Sequence, residues 1–183
     1  IRILNITRPD LGLHAFTVID GERTVTHDVV KSVSSTDDVA ILKLHGPGVG
    51  FKSGILAEVT GALDRNGINI KSVLTAQTAI NVLLAREHLD AAYATLMEHH
   101  MAGVVEVSRN DAVAIVAVVG DGVLDASNVG SAIASRALSA ALQGGVRVTL
   151  AAAGASEVAA YMLVDRNDRR LALSLIHAEF FGV

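Results

Sequence analysis

The chain has 183 residues, is 51% hydrophobic but only 3% aromatic, carries a formal charge of −4 and contains no cysteine. That length suits one domain or two small ones with cores of Ala, Val, Leu and Ile. The acidic balance and scarce aromatic faces exclude a nucleic-acid footprint, and the missing cysteine excludes disulfides, zinc–thiolate sites and thiol nucleophiles. No apolar run reaches the roughly 18 residues of a membrane span, and no secretory leader is evident. A cytoplasmic chain with neither nucleic-acid nor membrane partners is therefore expected. Its start at Ile1 rather than Met suggests a piece of something longer.

In chain order, HDVVKSVSS (His27 to Ser35) is an unpaired strand candidate. VAILKLHGPGV from Val39 is a strand ending in a glycine turn, and VAIVAVVGDGV from Val113 repeats it after about 75 residues. The first copy continues into SGILAEVTGALDRNG, where Ile55, Leu56, Val59, Ala62 and Leu63 have helical spacing and Asn66-Gly67 is a stop. INIKSVLT and TAINVLLA follow as strands, REHLDAAYATLMEHH as a helix and VVEVS (Val104 to Ser108) as a closing strand. The second copy offers the helix SNVGSAIASRALSAALQGG, the strands VRVTLAA and EVAAYMLV, and the helix RNDRRLALSLIHAEF. Each unit thus reads βαββα, and the first is completed to βαββαβ, a ferredoxin-like α+β arrangement. The second lacks a final strand before Val183, and the strand near 29–35 is expected to supply it. The first domain is expected over 29–109 and the second over 110–183.

The glycine-rich turn of LHGPGVGFKSGILAEV (Leu44 to Val59) is the main functional candidate. It is not a phosphate-binding P-loop, because Phe51 occupies the position before Lys52 where a glycine must let the backbone wrap phosphates. It fails as a dinucleotide fingerprint as well, since Ser53 stands where the third glycine belongs. Two readings remain. The glycines either only tighten a strand-to-helix turn, or they expose the amides of the helix first turn to a carboxylate, such as that of an amino acid.

Elsewhere the chemistry is sparse. Adjacent His99 and His100 do not share a helix face, which argues against a metal site. His45 could touch a ligand at the loop, although packing or hydration is the plainer reading. Ser53 reads as a helix cap, not a nucleophile. Asp37-Asp38 and Asp121 with Asp125 could suggest acid–base work, but Gly120-Asp121-Gly122 is a turn sequence. The RNDRR run from Arg166 is either a solvated helix start or a docking surface for a neighbouring domain. No catalytic set and no metal set is predicted.

GPGVGFKSGILAEVTGALDRNGINIKSVLTAQTAINVLL resembles the first regulatory ACT domain of aspartokinases. VAIVAVVGDGV through GASEVAAYMLVDRNDRRLALSLIHAEFF resembles their second, and IRILNITRPDLG resembles the segment closing their kinase domain. The resemblance implies tandem ACT domains, the second discontinuous, with residues 1–28 as the kinase-domain tail or linker. Aspartokinases phosphorylate the side-chain carboxylate of aspartate with ATP, and their ACT pairs dimerise and bind an end-product amino acid, lysine or threonine, for feedback inhibition. The implied partners are that effector, a second copy and the kinase domain. ATP and magnesium would belong to the kinase domain, leaving no cofactor for this chain, which should be inactive alone. By match, loop residues Val49, Gly50, Ser53, Gly54, Ile55 and Leu56 hold the effector's amino and carboxylate groups. Asn69, Ile70 and Lys71 line the other side, from a partner's strand, with Gln77 and Asn81 nearby. Lys71 stands where lysine-inhibited relatives tend to place an acid. A purely structural, ligand-free ACT scaffold is the alternative.

Overall fold

Alternation dictates the central strand of the first unit. Ala40, Leu42 and Leu44 are buried while Lys43 and His45 are exposed, the period-two signature of a sheet covered on one face. The computed structural model describes residues 2–4, 16–18, 30–99, 101–120, 129–154, 156 and 158–182. Two short strands, β1 (Arg2–Leu4) and β2 (Phe16–Val18), pair antiparallel. Most of the kinase-tail segment, His27 to Val29 of the strand candidate, and Asp121 and Asp125 lie outside the described residues.

Two four-stranded antiparallel sheets follow. The first contains β4 (Ala40–His45), β5 (Ile70–Ala76), β6 (Ala79–Leu84) and β7 (Glu106–Asn110), in the order β5-β6-β4-β7. Helices α1 (Ile55–Arg65) and α2 (Leu89–Glu98) cover one face, burying Ile55, Val59, Ala62 and Leu63 from α1 and Leu89, Ala92 and Leu96 from α2. The predicted stop of α1 holds. Gly67 has φ 68°, and the Gly67 and Ile68 amides donate to Asp64 and Leu63 carbonyls at 2.8 and 3.0 Å, a left-handed C-terminal cap.

The second sheet contains β8 (Val113–Gly120), β9 (Val148–Ala152) and β10 (Ala159–Asp165), covered by α3 (Val129–Gln143) and α4 (Arg169–Phe181). Its fourth strand is β3 (Val30–Thr36), which precedes the first unit in the chain and pairs antiparallel with β8, giving the order β3-β8-β10-β9. The expected completion of the second unit by an upstream strand is observed. No helix among the described residues is long and apolar enough to cross a membrane.

The uncovered sheet faces meet each other. Val39, Leu83, Val113 and Leu163 form a third core cluster, flanked by Ile41, Leu74, Ile115 and Leu150, distinct from the core under each helix pair. Across the same contact the Ser72 and Tyr161 hydroxyls are 2.8 Å apart. The chain crosses between the sheets at 37–39 and again at 111–112, and arginines following β6 and β10 bind both crossings. Arg86 donates from Nε to the Asp37 carbonyl at 3.0 Å and from Nη2 to the Val113 carbonyl at 3.2 Å, with further contacts to the Asp37 and Asp111 carbonyls. Arg166 donates from Nε to Asp37 Oδ2 at 3.2 Å, its amide donates to the Ala112 carbonyl, and Arg169 lies 3.7 Å from Asp37 Oδ1. Asp37 is thus a structural anion rather than an acid–base group; of the RNDRR run Arg166 and Arg169 hold the crossing, while Asn167 and Arg170 are exposed at the helix start.

The hydrogen bond from Arg166 holds the Asp37 carboxyl below the ordinary aspartate value of 3.8, against opposing desolvation and with help from the Arg169 charge. The folded state therefore binds this proton less tightly than the unfolded chain. The resulting stability is fully present above that value and is lost as pH falls beneath it. Asp37→Asn is expected to lower the melting temperature at pH 7 and to lower it by less at a pH below 3.8, where the native carboxylate begins to take up its proton. Thermal melts at the two pH values check this; an equal deficit at both would assign the effect to packing instead.

Candidate functional site

The glycine turn between β4 and α1 is packed against two backbone neighbours. A Cβ on Gly46 would sit 2.0 Å from the Gly103 carbonyl oxygen, one on Gly48 2.6 Å from Gly103 Cα, and one on Gly50 2.3 Å from the Gln77 carbonyl oxygen. Hydrogen bonds hold the same geometry: the Gly46 amide donates to Thr78 at 3.0 Å, Gly48 to Gly103 at 3.3 Å, and Lys52 back to Gly48 at 2.8 Å. The three glycines are therefore first a matter of close backbone approach.

The turn also leaves donors open. The first bond of the α1 ladder runs from the Glu58 amide to the Gly54 carbonyl at 2.9 Å, so the amides ahead of it have no helical acceptor. Gly54 occupies the N-cap with φ 92° and no side-chain cap. This corrects the expectation for Ser53. It neither caps nor enters the helix, because the left-handed step at Gly54 moves the helix start beyond its reach.

These amides border a cavity of 450 Å³. Of the sequence-predicted residues, Val49, Gly50, Gly54, Ile55, Leu56 and Gln77 line it together. Lys52, Thr75, Ala76 and Ile80 line it too and were not singled out. The signal for Thr75 and Ala76 was their position beside Gln77 in the β5–β6 turn. In the sequence Lys52 stands out only as the lysine of the failed P-loop comparison. Lys52 is exposed and is the one charged residue of the lining.

Ser53, Asn69, Ile70, Lys71 and Asn81 do not line this cavity within one chain. Asn69 to Lys71 lie at the opposite end of β5, about 20 Å away along the strand. Lys71 donates from Nζ to the Asp38 carbonyl at 2.8 Å and meets Asp38 Oδ2 at 3.3 Å. Asn81 lies on the other face of the sheet, its Nδ2 3.5 Å from the Leu74 carbonyl. His45 is exposed at the end of β4 and is outside the lining. Among the described residues no three His, Asp or Glu side chains converge on a metal position; His100 lies outside them. A larger cavity of 630 Å³ beside the end of α2 is walled mainly by Leu96, Met97, Met101, Val104 and Val105, with His99 and Glu106 at its polar side.

The ACT domain family model matches residues 34–98. The second sheet repeats the strand order of the first, so the chain has the fold of two ACT-like units in tandem. Its likeness is to aspartokinases. It is 25% identical over 175 residues to the bifunctional aspartokinase/homoserine dehydrogenase of Haemophilus influenzae, covering 91% of this chain and 21% of that protein. The chain thus spans about a fifth of the length of this curated relative. In fold it is similar to the regulatory subunit of aspartate kinase from Thermus thermophilus in its ligand-free form, with TM-score 0.71 and 22% identity over 83% of this chain and 98% of that one. It is similar also to E. coli aspartokinase III in complex with lysine and aspartate, with TM-score 0.67 and 21% identity over 87% of this chain and 35% of that one.

Gly50→Ala is expected to force the loop off the β5–β6 turn and to cost about 1–3 kcal/mol. Gly61→Ala, on α1 with its nearest neighbour at 3.4 Å, should be neutral or slightly stabilising. Chemical denaturation of both variants measures the contrast.

Proposed function

We propose that this chain is the regulatory region of an aspartokinase and that the cavity beside the glycine turn binds an end-product amino acid to control a kinase domain. One observation carries the reading: six of the predicted residues converge on a cavity edged by free helix-start amides. Such amides and the helix dipole favour a carboxylate, and Lys52 adds a positive charge.

The same charge bears on effector choice. Among the described residues no carboxylate lines the cavity, so the side-chain ammonium of lysine would meet Lys52 without compensation. A neutral amino acid of threonine size fits the lining better, with Thr75 and Gln77 available to its polar groups. The lysine-bearing aspartokinase III structure supports an amino acid as the ligand class. Within this chain, the choice of threonine over lysine rests on Lys52.

A second copy would complete the site. β5 is an edge strand. Antiparallel pairing of two β5 strands centred on Val73 would set Lys71 of one copy opposite Thr75 of the other, and Asn69 opposite Gln77. That register brings the distant trio to the cavity mouth. Binding would then depend on how the two copies are arranged, and an effector preferring one arrangement would shift the population by its differential affinity. The competing reading is a ligand-free dimerisation scaffold, favoured by the purely backbone role of Gly46 and Gly48.

Calorimetric titration with threonine, lysine and methionine tests the proposal, with sedimentation equilibrium of the same samples. Threonine is expected to bind saturably, lysine weakly or not at all, and Gln77→Ala to weaken threonine by about tenfold. A dimer mass is expected throughout. No threonine binding at millimolar concentration would leave the scaffold reading, and binding by a monomer would defeat the shared site.

A further inference from the structure

Beside the Leu83–Leu163 contact the two sheets part to leave a further cavity, of 410 Å³, on the face of the first sheet opposite its helices. Its apolar wall is Ile41, Val113, Leu150 and Leu163, contributed by both units. Its polar wall is Lys43 on β4, Asn81 on β6 and Ser108 on β7. Register places these three together, since Lys43 pairs across with Asn81 on one side and Ser108 on the other. The volume is within the range of small-molecule sites, and so is the combination of apolar wall and few convergent polar groups.

The charge balance is one-sided. Among the described residues no Asp or Glu lines the cavity. Lys43 is exposed and has no hydrogen bond or ion pair among the described residues. Arg109 also borders it, but that guanidinium pairs with Asp90 and lies 4.6 Å over the Tyr93 ring. Thr149 and Asn110 are committed as well, Thr149 Oγ1 donating to the Leu163 carbonyl and Asn110 Oδ1 accepting from the Ala112 amide. The Ser108 hydroxyl has no such partner, and Asn81 Nδ2 has only its 3.5 Å contact.

We propose that this inter-sheet cavity binds a small aliphatic carboxylate. The Lys43 ammonium and the Asn81 and Ser108 donors take the carboxylate, and Ile41, Leu150 and Leu163 take the hydrocarbon. A bare inorganic anion would use only the polar wall, and a neutral alkane only the apolar one. An occupant would touch both units at once, so it would hold the angle between them. The site is on the opposite sheet face from the glycine-turn cavity and does not depend on the effector reading.

The test is a two-dimensional amide NMR titration of the chain with isovalerate, with isovaleramide and inorganic phosphate as parallel probes. Isovalerate is expected to give saturable shifts at Lys43, Asn81, Ser108 and Leu150 together, leaving Gly50 to Leu56 unmoved. Isovaleramide, phosphate and the Lys43→Gln variant are each expected to show affinity reduced about tenfold or more, the loss of a charge-assisted contact or of the apolar one. Absence of saturable shifts, or amide or phosphate binding as tight as isovalerate, would overturn the proposal. Because the amide comparison uses the unaltered chain, the outcome stands even if Lys43→Gln folds poorly.

Discussion

The architecture depends on the anchoring of one short linker. β3 and β4 are consecutive in the chain yet belong to different sheets, so residues 37–39 must cross from one unit to the other. Asp37 fixes that crossing from both sides: its carbonyl accepts from Arg86 of the first unit, and its carboxylate pairs with Arg166 and Arg169 of the second. Arg86 and Arg166 occupy equivalent positions, each just after the strand that precedes the second helix of its unit. A single residue thus sets the relation between two sheets, and the apolar cluster around Leu83 and Leu163 fills the space so defined.

That relation explains why polar and apolar residues alternate as they do on the sheet faces. The helix-covered faces carry the conventional cores. The opposite faces are divided: near the crossings they are apolar and meet, and towards the glycine turn they become polar, with Lys43 and His45 in the same strand as Ile41. The glycine turn belongs to the far end of this strand, so both cavities of interest are served by β4, one from its end and one from its face.

Much of this was legible from residue order. The repeated VAI strand openings, the helical spacing of Ile55, Val59 and Leu63, and the Asn66-Gly67 stop each reflect local physics that tertiary context did not override. The missing strand of the second unit was readable because counting strands in two copies exposed a deficit. The site was less legible. Ser53 looks like a cap because serine before an apolar helical run usually is one, but the left-handed turn at Gly54 depends on how the loop packs on Gly103 and Gln77. Lys52 and Thr75 were missed because cavity lining is set by side-chain direction across two elements. Asp37 and Arg166 were visible only as charged residues, since their meeting spans more than half the chain.

The displaced strand has a consequence for biosynthesis. During translation β3 leaves the ribosome ahead of the first unit, but its partner β8 is made only after the whole of that unit. Because non-local pairing must await closure of the intervening loop, the first unit can complete its sheet while β3 still has an open edge. The earlier unit then serves as the closed loop across which the later one is assembled. In this chain the order of synthesis and the order of folding are opposed for a single strand, and the second unit cannot finish until the ribosome has passed the first entirely.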